Sequence, residues 1–235
     1  MVIKRIYLSP SNQPKNLYAV GNTNEKVEME AVAKKMKTIL DAEYACETII
    51  ATSSLAIDAT GRAQEAKDKG CDIYLALHSN AGGSGKASGA VAFYHPSSEE
   101  SKALARNVVK ELNTICPIPS NRNTSVNNGM LLYKGYGLAE IRNPYKAGLV
   151  GVLAETDFHD NPKTAKWIID NKDAIARAYV DALVKTFGIE SKPVPVEEKG
   201  KLYRVQAGAF KEKVNAEELV KKLNAAGFDA VIKFQ

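Results

Sequence analysis

Three polar side chains stand where an apolar stretch stops or a helix starts: Glu25, His78 and Glu155. Residues 71–80, CDIYLALHSN, stay apolar from 73 to 77 and then break into His78, Ser79 and Asn80. Such a run reads as a strand buried on both faces, as a parallel sheet covered by helices requires. In those sheets ligands and chemistry collect beyond the carboxyl ends of the strands. A histidine closing the strand is therefore either a satisfied core or capping residue or a ligand. Residues 149–154 form another apolar run, ending in Glu155-Thr156-Asp157-Phe158-His159. A carboxylate there is costly unless it is paired, solvated in a cleft or bound near a metal. Glu25 opens a helix, where it is either a favourable charge at the positive end of the dipole or an acidic ligand at the mouth of the sheet. Glu28 and Glu30 share its neighbourhood.

The elements that must position these groups follow from periodicity and punctuation. Residues 2–8 read as the first strand, stopped by the Pro- and Ser-rich stretch 9–14. A helix begins at Glu25, capped by Thr23 or Asn24, with Val27, Ala31, Val32, Met36, Ile39 and Leu40 near one stripe. Residues 46–52 and 88–94 are further strand candidates, and residues 60–69 a short polar helix in which Arg62 reads as a surface charge. His95, beside a proline, reads as exposed loop. Ser97 or Ser98 caps a helix whose apolar face is Ala103, Leu104, Val108 and Leu112. Residues 115–137, rich in Pro, Asn and Gly, predict a long loop that is mobile or functional. One long helix then runs from Ile168 to Phe187 and stops at Gly188. The fold class expected is α/β: a mostly parallel sheet with helices on both faces, plus a small C-terminal βαβ unit.

The 235 residues, 45% hydrophobic and 25% charged, suffice for one sizeable core and a small appendage. A formal charge of +5 suits an acidic polymer such as an anionic cell wall. Nucleic acid is not expected, because there is no arginine cluster or aromatic ladder. Cys46, Cys71 and Cys116, odd in number and set in apolar segments, read as reduced core residues. The N-terminus runs straight into a strand, so the expectation is synthesis in the cytoplasm without a signal peptide and without membrane insertion.

In order and spacing, IYLSPSN, the Glu25 helix start, Arg62, LALHSNAGG, LAEIRNP (138–144) and VLAETDFHDNP (152–162) resemble the zinc-dependent N-acetylmuramoyl-L-alanine amidases over residues 2–188. That family cleaves the bond between the lactyl group of muramic acid and the first L-alanine of the peptidoglycan stem peptide. The resemblance implies Zn2+ as cofactor, Glu25 and His78 as metal ligands, and Glu155 as general base. The family's first histidine ligand is missing, since the chain reads Ser9-Pro10-Ser11-Asn12 there. Catalytic zinc normally takes three protein ligands. Asn12 or its neighbour Gln13 completes a weakened site, His159 replaces the lost ligand, or the site is degenerate and only binds the wall; Asn12 is the third ligand assigned. In the active reading zinc activates water, Glu155 takes its proton and returns it to the alanine amine, and no covalent intermediate forms. Arg142 and Asn143 either contact the glycan or stem peptide or simply build a loop.

Residues 190–200, ESKPVPVEEKG, read as an extended linker between a catalytic domain (1–189) and a tail (201–235). The tail reads strand, helix, strand, and its YRVQAGAF, NAEELVKKL and AAGFDA segments resemble a SPOR repeat, a peptidoglycan-binding module. A complete SPOR domain has two such halves. One half is too small to be stable alone, which predicts a homodimer through paired tails. The expected function is thus a wall amidase acting in sporulation, at mother-cell lysis, or as a phage endolysin. The alternatives are a catalytically degenerate dimeric peptidoglycan-binding protein and, against the evidence of the tail, another zinc amidohydrolase or carboxypeptidase.

Overall fold

The structure, a computed structural model, describes residues 4–52, 56, 61–193 and 205–233. It divides into a unit of residues 1–192 and a unit of residues 193–235. Most of the expected linker, residues 194–200, and the start of the expected tail strand lie outside the described residues.

The first unit is built on a six-stranded sheet in the order β2-β1-β3-β6-β4-β5. Its strands are β1 (Lys4–Pro10), β2 (Cys46–Ile50), β3 (Ile73–Asn80), β4 (Val91–Tyr94), β5 (Val126–Asn128) and β6 (Val150–Phe158). All neighbours are parallel except β4 against β6. The central strands β1, β3 and β6 carry apolar side chains on both faces, as the continuous runs in the sequence require. On one face Ile6, Leu8, Ile73, Leu75, Leu77, Val152 and Ala154 join the larger core with α1 (Glu25–Glu43), α3 (Glu99–Ile115), α5 (Pro162–Asp170) and α6 (Lys172–Phe187). On the other, Tyr7, Tyr74, Ala76 and Leu153 pack with Ala66 of α2 (Arg62–Asp68) and Ile141 of α4 (Ala139–Lys146). The register pairs Tyr74 with Gly151, Ala76 with Leu153 and His78 with Glu155. Paired residues of parallel strands point to the same face, so His78 and Glu155 continue the second row toward the carboxyl ends of β3 and β6.

The structure departs from the sequence reading at several elements. The expected long helix is two, broken at Asn171, whose backbone leaves the helical region and whose side chain donates back to the Trp167 carbonyl. The Pro- and Asn-rich stretch contains β5, which pairs only with β4 at the sheet edge and is too short to show a period. Arg62 is no surface charge: it is 1% exposed and donates to Ser9 Oγ and the Pro10 carbonyl. In the second unit α7 (Lys213–Ala225) forms, but residues 205–210 and 228–233 contain no strand. Strand backbone needs a ladder partner, and these segments find none among the described residues.

Candidate active site

His78 stands near the carboxyl end of β3 with a carboxylate on each side of its ring. Its Nδ1 lies 2.8 Å from Glu25 Oε1 and its Nε2 lies 2.8 Å from Glu140 Oε2. Glu25 starts α1, whose N-cap is Asn24, and so approaches from the larger core's side of the sheet. Glu140 comes from the first turn of α4 on the opposite side. That helix lies close on β6 because residue 151 is glycine: a Cβ there would stand 2.8 Å from Pro144 Cβ. All three groups are buried, Glu25 to 1%, Glu140 to 2% and His78 to 4% exposure.

Carboxylates can only accept hydrogen bonds, so the ring between them carries both protons. The two carboxylates hold the His78 pKa well above the usual imidazole value despite full burial. Burial pushes Glu25 and Glu140 upward, but the hydrogen bond and charge of His78 prevail and hold both below the usual carboxylate range. Asn16 and Ser11 add to the effect on Glu25, Ser9 and Tyr74 to that on Glu140.

Glu155 sits across from His78 on β6 and has a different environment. Its Oε2 is buried with no hydrogen-bond partner. Burial raises its pKa to about 7; the nearby charges of Glu25 and Glu140 add to the rise and His78 opposes it. A carboxyl that exchanges its proton near neutrality, with a lone pair facing no donor, is suited to general acid–base work.

Glu25, His78, Glu140, Glu155, Gln13 and His159 all line one cavity of about 530 Å³. Asn12 does not line it; the neighbouring Gln13 does, with Nε2 3.4 Å from His78 Nδ1. The ring of His159 is stacked on Tyr18, and its Nδ1 lies 2.8 Å from the Ser79 carbonyl. A carbonyl accepts only, so Nδ1 carries the proton there. Arg142 also lines the cavity, but its guanidinium donates to the carbonyls of Tyr136 and Gly137 and stacks on the Tyr136 ring at 3.9 Å, bracing a loop. Asn143 is buried outside the cavity lining. His95 lies against Tyr145, away from these groups.

A model of the N-acetylmuramoyl-L-alanine amidase family matches residues 6–185. The chain belongs to that family. A second match, to the SPOR domain, covers residues 171–233 and thus begins at Asn171, the residue before α6 of the first unit. The chain is 24% identical over 236 residues to the N-acetylmuramoyl-L-alanine amidase CwlM of Bacillus licheniformis, covering 98% of this chain and 85% of that protein. It is 23% identical over 233 residues to a sporulation-specific N-acetylmuramoyl-L-alanine amidase of Bacillus subtilis (strain 168), covering 97% and 84%. In fold it is similar to the catalytic domain of the amidase CwlV from Bacillus (Paenibacillus) polymyxa, with a TM-score of 0.65, 17% identity, and coverage of 80% of this chain and 100% of that one.

The amidase family is generally zinc-dependent, whereas among the described residues no group of three His, Cys, Asp or Glu side chains is arranged to hold a metal ion. The donor chemistry nevertheless fits a divalent cation. Three carboxylates surround one imidazole, the Glu25–His78 pair is bridged by a proton that a cation can displace, and Glu155 Oε2 lacks any donor. The signal for Glu140 was present in the LAEIRNP stretch, but its glutamate lies on a helix of 8 residues containing a proline, too short to read as a face.

The same groups make the zinc-free amidase sensitive to pH in one direction. Glu155 binds its proton more tightly when folded, at about 7 against 4.5, and His78 does so relative to 6.5. At these two groups the folded chain therefore holds more protons than the unfolded one above about pH 5, and their contribution to stability falls as pH rises, opposed by His95, whose pKa burial lowers. Glu155 contributes about 3 kcal/mol of that fall by pH 7 to 8. The His78 contribution, complete below 6.5, is lost only as pH passes its raised folded value. In the presence of a chelator the first unit is expected to melt at a lower temperature at pH 8 than at pH 5.5. An equal or higher melting temperature at pH 8 would contradict this charge arrangement.

Proposed function

We propose that the protein hydrolyses the amide between N-acetylmuramic acid and the L-alanine of the stem peptide in peptidoglycan, with zinc-activated water and Glu155 as general base. The observation that carries this reading is Glu155: a carboxyl with a pKa of about 7 and an unpartnered oxygen, beside a histidine clamped by carboxylates at the carboxyl end of the sheet. Glu25 and His78 would hold the zinc, and Gln13, the amide on the cavity wall, takes the place given to Asn12 from the sequence. Bound zinc supplies Lewis-acid polarisation of water and of the lactyl carbonyl. Glu155 removes the proton from the attacking water and delivers it to the alanine amine as the C–N bond breaks, so protons balance without a covalent intermediate. Release of stem peptide with new L-alanine amino termini from purified sacculi, dependent on stoichiometric zinc, tests the reading. Zinc-free protein that stays inert when zinc is restored, yet pulls down with sacculi, would favour the degenerate binding protein instead.

The division of labour proposed is catalysis by residues 1–189 and wall binding by residues 201–235, joined by a linker at 190–200. SPOR domains bind peptidoglycan, and the sporulation-specific relative suggests mother-cell lysis as the setting, with phage lysis the other. Among the described residues no helix is long and apolar enough to cross a membrane. In the second unit Val205, Val214, Phe228 and Val231 are 61% or more exposed, an apolar content the single half repeat does not bury. A second copy of the tail would cover it, making a homodimer. Sedimentation of the intact protein at micromolar concentration is expected to give a dimer, and a monomer with a folded tail would refute the pairing.

A further inference from the structure

The two carboxylates that flank His78 are held in different ways. Glu140 is fixed on every side. Its Oε1 accepts from Ser9 Oγ and from Tyr74 Oη, each at 2.6 Å, while its Oε2 faces His78 Nε2. Ser9 in turn is held by Arg62 Nη1 at 2.9 Å, and Arg62 also donates to the Pro10 carbonyl. Three elements, β1, β3 and α4, thus meet on this carboxylate, with α2 bracing Ser9 from behind, and it is buried. Glu25 faces Nδ1 with a looser set of partners: Asn16 Nδ2 donates to its Oε2 at 2.6 Å and the Ser79 backbone N–H to its Oε1 at 3.3 Å, Ser11 adds a hydroxyl, and Gln13 Nε2 stands 3.4 Å from the same ring nitrogen.

A metal can take only one imidazole nitrogen, and that nitrogen must give up its proton. The Nε2 proton points at a carboxylate tied down by two 2.6 Å side-chain hydrogen bonds, whereas beside Nδ1 the Glu25 carboxylate and the Gln13 amide both stand near the same nitrogen. From this contrast, which rests on the zinc-hydrolase reading above, we infer that Glu140 is a positioning residue. It retains the proton on Nε2 and so presents the Nδ1 lone pair of His78, beside Glu25, as the metal-binding atom. A carboxylate on the outer nitrogen also makes the imidazole a stronger donor and stops the ring from turning. In a chain that lacks one histidine of the usual ligand set, that support bears directly on whether zinc is retained at all.

The test uses the full chain and zinc alone, with affinity read by competition against a chromophoric chelator. Glu140→Gln is expected to weaken zinc binding about 10- to 100-fold while circular dichroism stays that of the folded protein. Tyr74→Phe, which removes one donor to Glu140 and leaves the carboxylate in place, is expected to weaken it about fivefold. Histidine-selective 15N spectra of the zinc-loaded wild type, with only three histidines to assign, should show His78 protonated at Nε2. Unchanged zinc affinity in Glu140→Gln, or a proton on Nδ1, overturns the inference. So does complete loss of zinc binding in folded Glu140→Gln, which would make Glu140 itself a ligand. If Glu140→Gln fails to fold, Tyr74→Phe and the wild-type spectrum decide. Failure of the wild type to bind zinc would instead sink the hydrolase reading, and this inference with it.

Discussion

Glu155→Gln is expected to lower turnover on sacculi by about 10²- to 10⁴-fold, the range for loss of a general acid–base group, while leaving zinc content unchanged. The variant keeps the size of the side chain and removes only its capacity to take a proton. Because Glu155 lies opposite His78 with its Oε2 unpartnered, no hydrogen bond is broken by the change. The buried charge is removed as well, so the zinc-free variant should be more stable than the wild type at pH 8 and nearly equal to it at pH 5. Wild-type turnover should rise with pH through about 7, where the carboxyl ionises in the zinc-free protein, or lower once a cation shares the site. Full turnover by Glu155→Gln would remove Glu155 from the mechanism. Loss of turnover together with loss of zinc would assign it to the metal instead.

His78→Ala is expected to abolish zinc binding and to destabilise the first unit by about 3–5 kcal/mol at pH 8, the range for breaking a buried ion pair from one side. Removing the imidazolium leaves Glu25 and Glu140 facing each other's charge across an empty space, buried to 1% and 2% exposure. Their pKa values are held down largely by His78, so in its absence burial drives both upward and they take up protons on mild acidification. The deficit should accordingly shrink between pH 8 and pH 5. Urea unfolding at the two pH values measures it. A deficit that is the same at both would mean that packing, rather than charge, is what His78 contributes.

The contrast between these residues shows what could be read from the chain. Glu25, His78 and Glu155 were legible because each breaks a pattern: two end apolar runs of the kind only a buried strand tolerates, and one opens an amphipathic helix. Parallel strands starting at one edge must finish at the other, so polar strand ends are brought together by topology alone. The same logic gave the α/β class, the helices on both faces and the reduced cysteines, which are free in the structure. The break at Asn171 was not legible, because the apolar stripe continues across it. Nor was β5, which owes its existence to β4 rather than to its own 3 residues.

Which side chains touch was decided only in three dimensions. Arg62 looked like any charge on a short polar helix until the packing of α2 placed it against Ser9 and Pro10. Gln13, not Asn12, reaches the cavity, a choice between adjacent residues that depends on how the chain leaves β1. Glu140 meets His78 only because α4 lies on β6 over Gly151, a contact between residues 62 positions apart. Local sequence sets periodicity and polarity, because those act within a few residues of the chain. Which partner a buried charge finds is fixed by packing between distant segments, where displacement by one side chain's width makes or breaks the hydrogen bond.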